Sequence, residues 1–181
     1  MLSTKLFKPS LTRGFKTFTP TLFKAGDSIP TGLKGLHESS PGNSVDLGKE
    51  VAHGKYIIVG LPAAFSPACS ASHVPGYIAH LKELKEKGVK QVFVTAVNDS
   101  FVTQAWAEDL GVPSDIRIIA DTLGEFAKAG DHLFDSKQIF GNDRSIRYAV
   151  IVQDGKVVKE FAEPDKIGVD VSSAENVLKE L

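Results

Sequence analysis

The stretch "KYIIVGLPAAFSPAC" (residues 55–69) joins a strand to the start of a helix, and it determines the fold class. Its first half, 55–61, is a continuous apolar run rich in β-branched residues and followed by turn residues, which predicts a buried strand. Ser66 suits the N-cap of a helix and Pro67 its first position, so we expect a helix that ends at Gly88.

The same alternation of strand and helix continues along the chain. Residues 27–54 predict loops with one or two short strands, and Pro75–Gly76 should kink the helix that precedes Gly88. The further predictions are strands at 90–97 and 116–121, helices at 100–111 (capped by Ser100) and near 122–130, a hairpin over 144–163 that turns at Asp154–Gly155, and a final helix at 172–181 with Ser172 and Glu175 as a capping box. This order predicts an α/β fold whose mixed central sheet is flanked by helices.

The composition is that of a globular protein with one domain. The chain has 181 residues, of which 42% are hydrophobic and 24% charged. No apolar run approaches the roughly 18 residues that a membrane helix needs, so we expect no membrane partner. The single cysteine excludes an internal disulfide and every zinc site built from several cysteines, and it indicates a reducing compartment.

The first 26 residues differ from the rest of the chain. They are rich in Ser and Thr, contain scattered Leu and Phe, hold no acidic residue, and carry five basic ones: Lys5, Lys8, Arg13, Lys16 and Lys24. This composition predicts a mitochondrial targeting segment at 1–26, followed by the folded domain at 27–181, and therefore a location in the matrix. A disordered or nucleic-acid-binding arm on a cytoplasmic protein is the alternative. Because all 22 acidic residues follow the segment, the body of the protein should bind no nucleic acid.

Cys69 is the first candidate for chemistry. If Ser66 is the N-cap, Cys69 lies in the first turn of the helix, where the free amides and the dipole favour a negative charge. A small buried side chain is the alternative. Ser66 can aim its hydroxyl near the sulfur or only cap the helix, and Pro62 can simply shape the turn.

Two further groups are candidates for assisting the thiol. Arg144 and Arg147 stand at the start of the hairpin, where one of them can project over the sheet and stabilise a thiolate. His73 follows Cys69 by four residues on the same helical face. A Cys–His pair or a two-ligand metal site is conceivable, but we favour a structural role for His73 and expect no metal site.

The segment "PAAFSPAC" (62–69) resembles the active-site signature P-x-x-x-[TS]-x-x-C of the peroxiredoxins. The segments "SHVPGYIAHL", "QAWAEDLGV" and "IFGNDRSIRYAVIVQDGKV" are similar to the "peroxiredoxin five" subfamily, which includes fungal alkyl hydroperoxide reductase-like proteins. The resemblance covers roughly residues 25–181. It implies a thioredoxin-like fold and a thiol-dependent peroxidase.

The resemblance also implies roles for individual residues. Cys69 matches the peroxidatic cysteine, Pro62 the residue that shields it, and Ser66 the hydroxyl that contacts thiolate and peroxide. Arg147 matches the arginine that activates the thiolate, with Arg144 ranked below it. The apolar residues expected around the substrate pocket are Phe65, Ile139 and Phe140.

The chain departs from many members of this group because it has no second, resolving cysteine; the later of the two usual positions falls at about Val171. We therefore expect an external thiol to regenerate Cys69, either glutathione (with or without glutaredoxin) or thioredoxin. The substrate would be hydrogen peroxide or an organic hydroperoxide, no cofactor would be needed, and the family leads us to expect a homodimer. The alternatives are a monothiol disulfide exchanger that uses Cys69 and Ser72, and a non-enzymatic thiol redox sensor.

Overall fold

The computed structural model describes residues 23–181, and a six-stranded mixed sheet forms its centre. The strand order is β1-β4-β3-β2-β7-β8, and two short strands form a second sheet, β5-β6. The strands are β1 (Leu36–His37), β2 (Lys55–Leu61), β3 (Val89–Ala96), β4 (Ile116–Asp121), β5 (Leu133–Phe134), β6 (Arg144–Ser145), β7 (Tyr148–Gln153) and β8 (Lys156–Ala162).

Helices cover both faces of the large sheet. They are α1 (Leu47–Glu50), a π-helical turn (Cys69–His73), α2 (Val74–Ala79), α3 (Leu81–Glu86), α4 (Ser100–Asp109), α5 (Glu125–Ala129), α6 (Lys137–Phe140) and α7 (Ala174–Leu178). One core cluster joins side chains of α2, α3, α4 and α7 to one face of the sheet, and a second joins α1 and α5 to the other face. This arrangement confirms the predicted mixed sheet flanked by helices.

Strand β2 lies at the centre of the sheet, parallel to β3 and antiparallel to β7. Ile57 and Val59 pack in the first core cluster, whereas Ile58 packs in the second. Both faces of β2 are therefore buried, which explains why its sequence is continuously apolar rather than alternating. Gly60 pairs with Tyr148, and a Cβ at Gly60 would overlap the Tyr148 ring, so only glycine fits there.

The helix after β2 begins where the sequence predicted. The structure places its first residue at Pro67, and the Ser70 amide donates to the Ser66 carbonyl at 3.0 Å, so Cys69 lies in the first turn. The predicted kink at Pro75–Gly76 takes another form. The backbone forms the π turn just before the proline, and the helix is interrupted after it at His80, whose Nδ1 lies 2.9 Å from the Gly76 carbonyl oxygen.

The hairpin turn is confirmed, but the strand that enters it is shorter than predicted. Asp154 and Gly155 both have positive φ (51° and 75°), as a type I′ turn requires. The expected strand from residue 144 is broken, because β6 pairs with β5 in the small sheet and β7 begins only at Tyr148. In the gap, the Arg147 amide donates to the Lys166 carbonyl at 2.7 Å, which draws Arg147 out of the regular strand.

Two predicted helix caps were wrong by one residue. Asp99, not Ser100, caps α4, because its carboxylate accepts from the amides of the next turn. Ser173, not Ser172, caps α7 by accepting from the Asn176 amide, so Ser172 and Glu175 form no capping box. Ser172 is thereby free for another role.

Most of the predicted targeting segment lies outside the described residues, which begin at Phe23. Phe23 itself is fully buried and packs on Phe126 with ring centroids 5.0 Å apart. Gly26 is also tied to the fold, because its amide donates to the Val157 carbonyl at 2.8 Å. Within residues 23–181, no helix combines the length and the apolar character needed to cross a membrane.

Candidate active site

Cys69 lies at the carboxyl end of β2, in the first turn of the following helix, and its side chain is fully buried. It belongs to the core cluster that also contains Tyr77 and Trp106. The indole of Trp106 donates to the Ser70 hydroxyl at 2.9 Å. The chain has a single tryptophan, so its fluorescence can report changes in the turn that holds Cys69.

Arg147 reaches this sulfur from the gap between β6 and β7. Its guanidinium Nη1 lies 3.3 Å from Cys69 Sγ and 3.0 Å from His73 Nδ1, and its Nε donates to the Ile167 carbonyl at 3.1 Å. Arg147 is 1% exposed. Of these three partners, only the thiol can acquire a negative charge, and within residues 23–181 the Arg147 side chain bonds to no carboxylate.

This arrangement places a cation against the single thiol of the chain. The Arg147 guanidinium can therefore stabilise negative charge that develops at Cys69 Sγ or on an oxygen bound there.

His73 is fully enclosed beside the pair and cannot act as the base for Cys69. Burial and the neighbouring Arg147 cation lower the pKa of His73 to about 4, so the ring is neutral near pH 7. Because Arg147 donates to Nδ1, the proton of the ring lies on Nε2, which faces the Ser172 carbonyl at 3.1 Å. This geometry supports the structural role expected for His73 over a Cys–His pair.

The C-terminal segment contributes to this site in a way that the sequence does not predict. The Ser172 hydroxyl lies 3.2 Å from His73 Nε2 and donates to the Glu163 carboxylate at 2.7 Å. Ser172 and Glu163 are both buried. The sequence does not indicate this contact, because Ser172 and His73 are 99 residues apart in the chain. The spacing of Ser172 and Glu175 predicted a helix cap instead.

Arg144, the alternative candidate for the arginine beside Cys69, contacts other residues. Its Nη1 donates to the Val97 carbonyl at 2.6 Å, and its guanidinium lies over the Phe140 ring at 5.2 Å. Ser72, the partner of Cys69 in the C-x-x-S spacing, is exposed and donates to the Ala68 carbonyl at 3.0 Å. The structure thus brings Arg147, but neither Arg144 nor the Ser72 hydroxyl, into hydrogen-bond contact with Cys69.

The loop between β2 and the helix contains the other signature residues. Pro62 is buried and Ser66 is half-buried, three residues before Cys69. Phe65 is 51% exposed and has a φ of +59°, a left-handed conformation that is unfavourable for a bulky residue. The Ala64 amide donates to Asn98 Oδ1 at 3.0 Å, which ties this loop to the loop after β3.

The remaining predicted pocket residues lie on the short helix α6. Ile139 is 74% exposed, and Phe140 is half-buried beneath Arg144. Their part in enclosing substrate, like that of Phe65, stays a prediction. Within the part of the chain that the structure describes, no group of three or more His, Cys, Asp or Glu side chains is arranged to hold a metal ion.

The neutral state of His73 is testable by pH titration. The folded-state pKa of about 4 lies below the ordinary value of 6.5, so between these values the unfolded chain binds a proton that the folded chain does not. His73 should therefore lower the free energy of unfolding as the pH falls through this range. In ¹H–¹⁵N NMR, its ring should stay neutral and Nε2-protonated at about pH 5, with the His73→Asn variant assigning the signals. Titration near 6.5 would contradict this account.

Two comparisons of sequence place the chain in a family. The model of the redoxin family matches residues 24–178. Peroxisomal membrane associated protein 20 of Schizosaccharomyces pombe is 48% identical over 148 residues, which are 81% of this chain and 92% of the relative. Peroxiredoxin Pen c 3 of Penicillium citrinum is 36% identical over 170 residues, which are 87% of this chain and 98% of the relative.

Solved structures agree with the sequence relatives. Reduced Prx3 from Vibrio vulnificus in complex with hydrogen peroxide has a TM-score of 0.79 and 33% identity, with 88% of this chain and 100% of that chain covered. The Plasmodium falciparum antioxidant protein, a 1-Cys peroxiredoxin, has a TM-score of 0.78 and 27% identity, with 87% and 99% covered. These likenesses confirm the thioredoxin-like fold class. By its family match and its nearly full-length relatives, the chain belongs to the peroxiredoxins and is a thiol-dependent peroxidase.

Proposed function

We propose that Cys69 is the peroxidatic cysteine and that Arg147 activates it. The observation that carries this proposal is the contact of 3.3 Å between the buried Arg147 guanidinium and Cys69 Sγ. Peroxiredoxins act on peroxides with thiol reductants and need no prosthetic cofactor, and Cys69 is the single thiol of the chain.

In the proposed reaction, the Cys69 thiolate attacks one oxygen of the hydroperoxide. A sulfur–oxygen bond forms and the O–O bond breaks; sulfur is oxidised to sulfenic acid, and the leaving oxygen takes a proton and departs as water or an alcohol. Arg147 Nη2 makes no hydrogen bond with residues 23–181, so its protons are available to the peroxide oxygens. Its charge and the Ser66 hydroxyl would stabilise the negative charge as it moves between those oxygens.

Hydrogen peroxide and small organic hydroperoxides are the proposed substrates. Full burial of Cys69 favours a small substrate, because a larger one needs the loop before the helix to open. The complex of the similar Vibrio vulnificus Prx3 with hydrogen peroxide supports this choice. Pro62 would shield the sulfur, and Phe65, Ile139 and Phe140 would contact the organic part of a larger hydroperoxide.

The sulfenic acid must be reduced by a thiol from another molecule, since the chain has no second cysteine. We propose glutathione, with or without glutaredoxin, or thioredoxin as the donor. A reductant thiol cannot reach a sulfur that is fully buried, so the turn around Cys69 must open in this step. Cys69 lies in a π turn, a rare form of helix that occurs frequently at functional sites.

The two alternative functions receive less support than the peroxidase. Disulfide exchange through the C-x-x-S spacing would place Ser72 beside Cys69, whereas the Ser72 hydroxyl bonds to the Ala68 carbonyl instead. A sensor whose thiol reacts with peroxide would use the same Arg147 contact, so the geometry does not separate it from the peroxidase. The peroxidase is favoured over the sensor by the family to which the chain belongs.

We also propose that the N-terminal segment directs the protein to mitochondria. The burial of Phe23 favours a mature chain that retains this residue, so that cleavage would precede it rather than follow residue 26. Mass spectrometry of the N-terminus of protein from purified mitochondria should find a cleaved chain that starts after Met1 and no later than Phe23. Recovery of the uncleaved chain from the cytosol, or from peroxisomes as the name of the Schizosaccharomyces pombe relative suggests, would contradict this proposal.

A homodimer is the proposed assembly. Phe65, Phe101 and Leu123 are exposed apolar side chains that follow the parallel strands β2, β3 and β4. The carboxyl ends of parallel strands meet at one edge of the sheet, so these residues share the end of the molecule that holds Cys69, where a second copy can cover them. Sedimentation equilibrium should give twice the chain mass, and a monomer at all concentrations would exclude this assembly.

The role of Arg147 is tested by replacing it. Arg147→Ala should slow the oxidation of Cys69 by hydrogen peroxide by about 10²- to 10³-fold, because it removes the charge that stabilises the thiolate and the transition state. Stopped-flow fluorescence of Trp106 measures the rate. Arg144→Ala is the matched control and should change this rate by less than about threefold, since Arg144 bonds to Val97. Equal rates in wild type and Arg147→Ala would refute the proposed role.

The reductant is identified by measuring peroxide turnover in parallel with glutathione alone, with glutathione plus glutaredoxin, and with thioredoxin plus its reductase. At least one system should sustain many turnovers per protein, and Cys69→Ser should abolish turnover in all of them. A single turnover with every system, in protein whose Cys69 reacts rapidly with peroxide, would instead support the sensor.

A further inference from the structure

A chain of buried hydrogen bonds connects the C-terminal segment to Arg147. It runs from the Glu163 carboxylate to the Ser172 hydroxyl at 2.7 Å, from Ser172 to His73 Nε2 at 3.2 Å, and from His73 Nδ1 to Arg147 Nη1 at 3.0 Å. The same Nη1 then contacts Cys69 Sγ at 3.3 Å. The four residues before Cys69 in this hydrogen-bond chain are at most 4% exposed, so its bonds are shielded from bulk water.

The donor and the acceptor of every bond in this hydrogen-bond chain are fixed by Glu163 at one end and Arg147 at the other. Glu163 as a carboxylate only accepts, so the Ser172 hydroxyl must donate to it. The Ser172 oxygen and carbonyl are then both acceptors, and they hold the proton of His73 Nε2 between them. The other ring nitrogen of His73 must accept, and Arg147, which is always a donor, supplies that proton.

Further hydrogen bonds hold Glu163 and Ser172, the outer end of this hydrogen-bond chain, in place. Burial opposes the ionisation of Glu163, but bonds from the Ser172 hydroxyl and from the amides of Ser172 and Asp170 outweigh it and keep the pKa of Glu163 below its ordinary value. The Tyr77 hydroxyl donates to the Ser172 carbonyl at 2.8 Å. Since burial raises the pKa of Tyr77, this phenol stays protonated and remains a donor.

Arg147 is the inner end of this hydrogen-bond chain, and the orientation of its guanidinium affects the reaction at Cys69. Arg147 lies in the gap between β6 and β7, and its long side chain has several rotatable bonds. Its Nη1 must share its two protons between His73 and the sulfur, so the position of the His73 ring sets the position of the guanidinium. A displacement of an ångström at such a group can change a rate greatly.

We propose that Ser172 and Glu163 are positioning residues for the peroxidase reaction, which act through His73 to hold Arg147 against Cys69. This inference rests on the role of Arg147 proposed above. The segment after β8 then helps to determine how fast Cys69 reacts with peroxide, although it contains no residue of the active-site signature.

The test replaces Ser172, because a change at Glu163 would also leave the Asp170 amide without its partner. Ser172→Ala should lower the rate constant of Cys69 oxidation by hydrogen peroxide by about tenfold, the usual effect of one lost hydrogen bond to a positioned group. The matched control is the next residue. Ser173→Ala removes the N-cap of α7 and should lower the melting temperature by a few degrees, while the rate constant stays within about twofold.

Two further readouts separate positioning from a loss of stability. In ¹H–¹⁵N NMR, the His73 Nε2–H signal should shift in Ser172→Ala and not in Ser173→Ala. In a His73→Leu background, Ser172→Ala should cause no further loss of rate, because the path to Arg147 is already broken.

The possible failures are distinguishable from one another. A wild-type rate in Ser172→Ala, or an undiminished tenfold effect in the His73→Leu background, would overturn the positioning role. The role of Arg147 would stand in either case if Arg147→Ala is still slow.

Discussion

The site depends on one interaction, which is the contact between the buried guanidinium of Arg147 and the sulfur of Cys69. Its guanidinium contacts the Cys69 sulfur, the neutral His73 ring and the Ile167 carbonyl, and of these only the sulfur can become an anion. On the role proposed for Cys69, this contact lets Arg147 stabilise the negative charge that develops as the sulfur attacks a peroxide.

The elements around the site serve this pairing from two directions. Strand β2 is buried on both faces and ends where the helix that contains Cys69 begins, so the sulfur is fixed by the centre of the sheet. On the other side, the break between β6 and β7 releases Arg147 from regular pairing, and its amide bonds to Lys166 instead. The last segment of the chain completes the enclosure, because Ser172 contacts His73 from a position 99 residues away.

Local patterns in the sequence predicted the parts of this structure that local physics determines. The apolar run of β2, the start of the helix after Ser66, and the turn at Asp154–Gly155 each follow from a few adjacent residues. The choice of Arg147 over Arg144 came only from the resemblance to a family, because both arginines lie in the same stretch and the break in the strand has no clear sequence signal. The roles of Ser172 and Glu163 were not predictable, since they depend on contacts between distant segments, and the spacing of Ser172 and Glu175 suggested a cap that Ser173 provides instead.

The most direct test of the account is the rate at which hydrogen peroxide oxidises Cys69 in the wild-type protein. Stopped-flow mixing followed by Trp106 fluorescence measures it, because the Trp106 indole bonds to Ser70 next to the reacting residue. The pairing of Cys69 with Arg147 predicts a rate constant that exceeds that of a free cysteine by several orders of magnitude. A rate constant equal to that of free cysteine would contradict the claim that this buried pair is built for peroxide reduction.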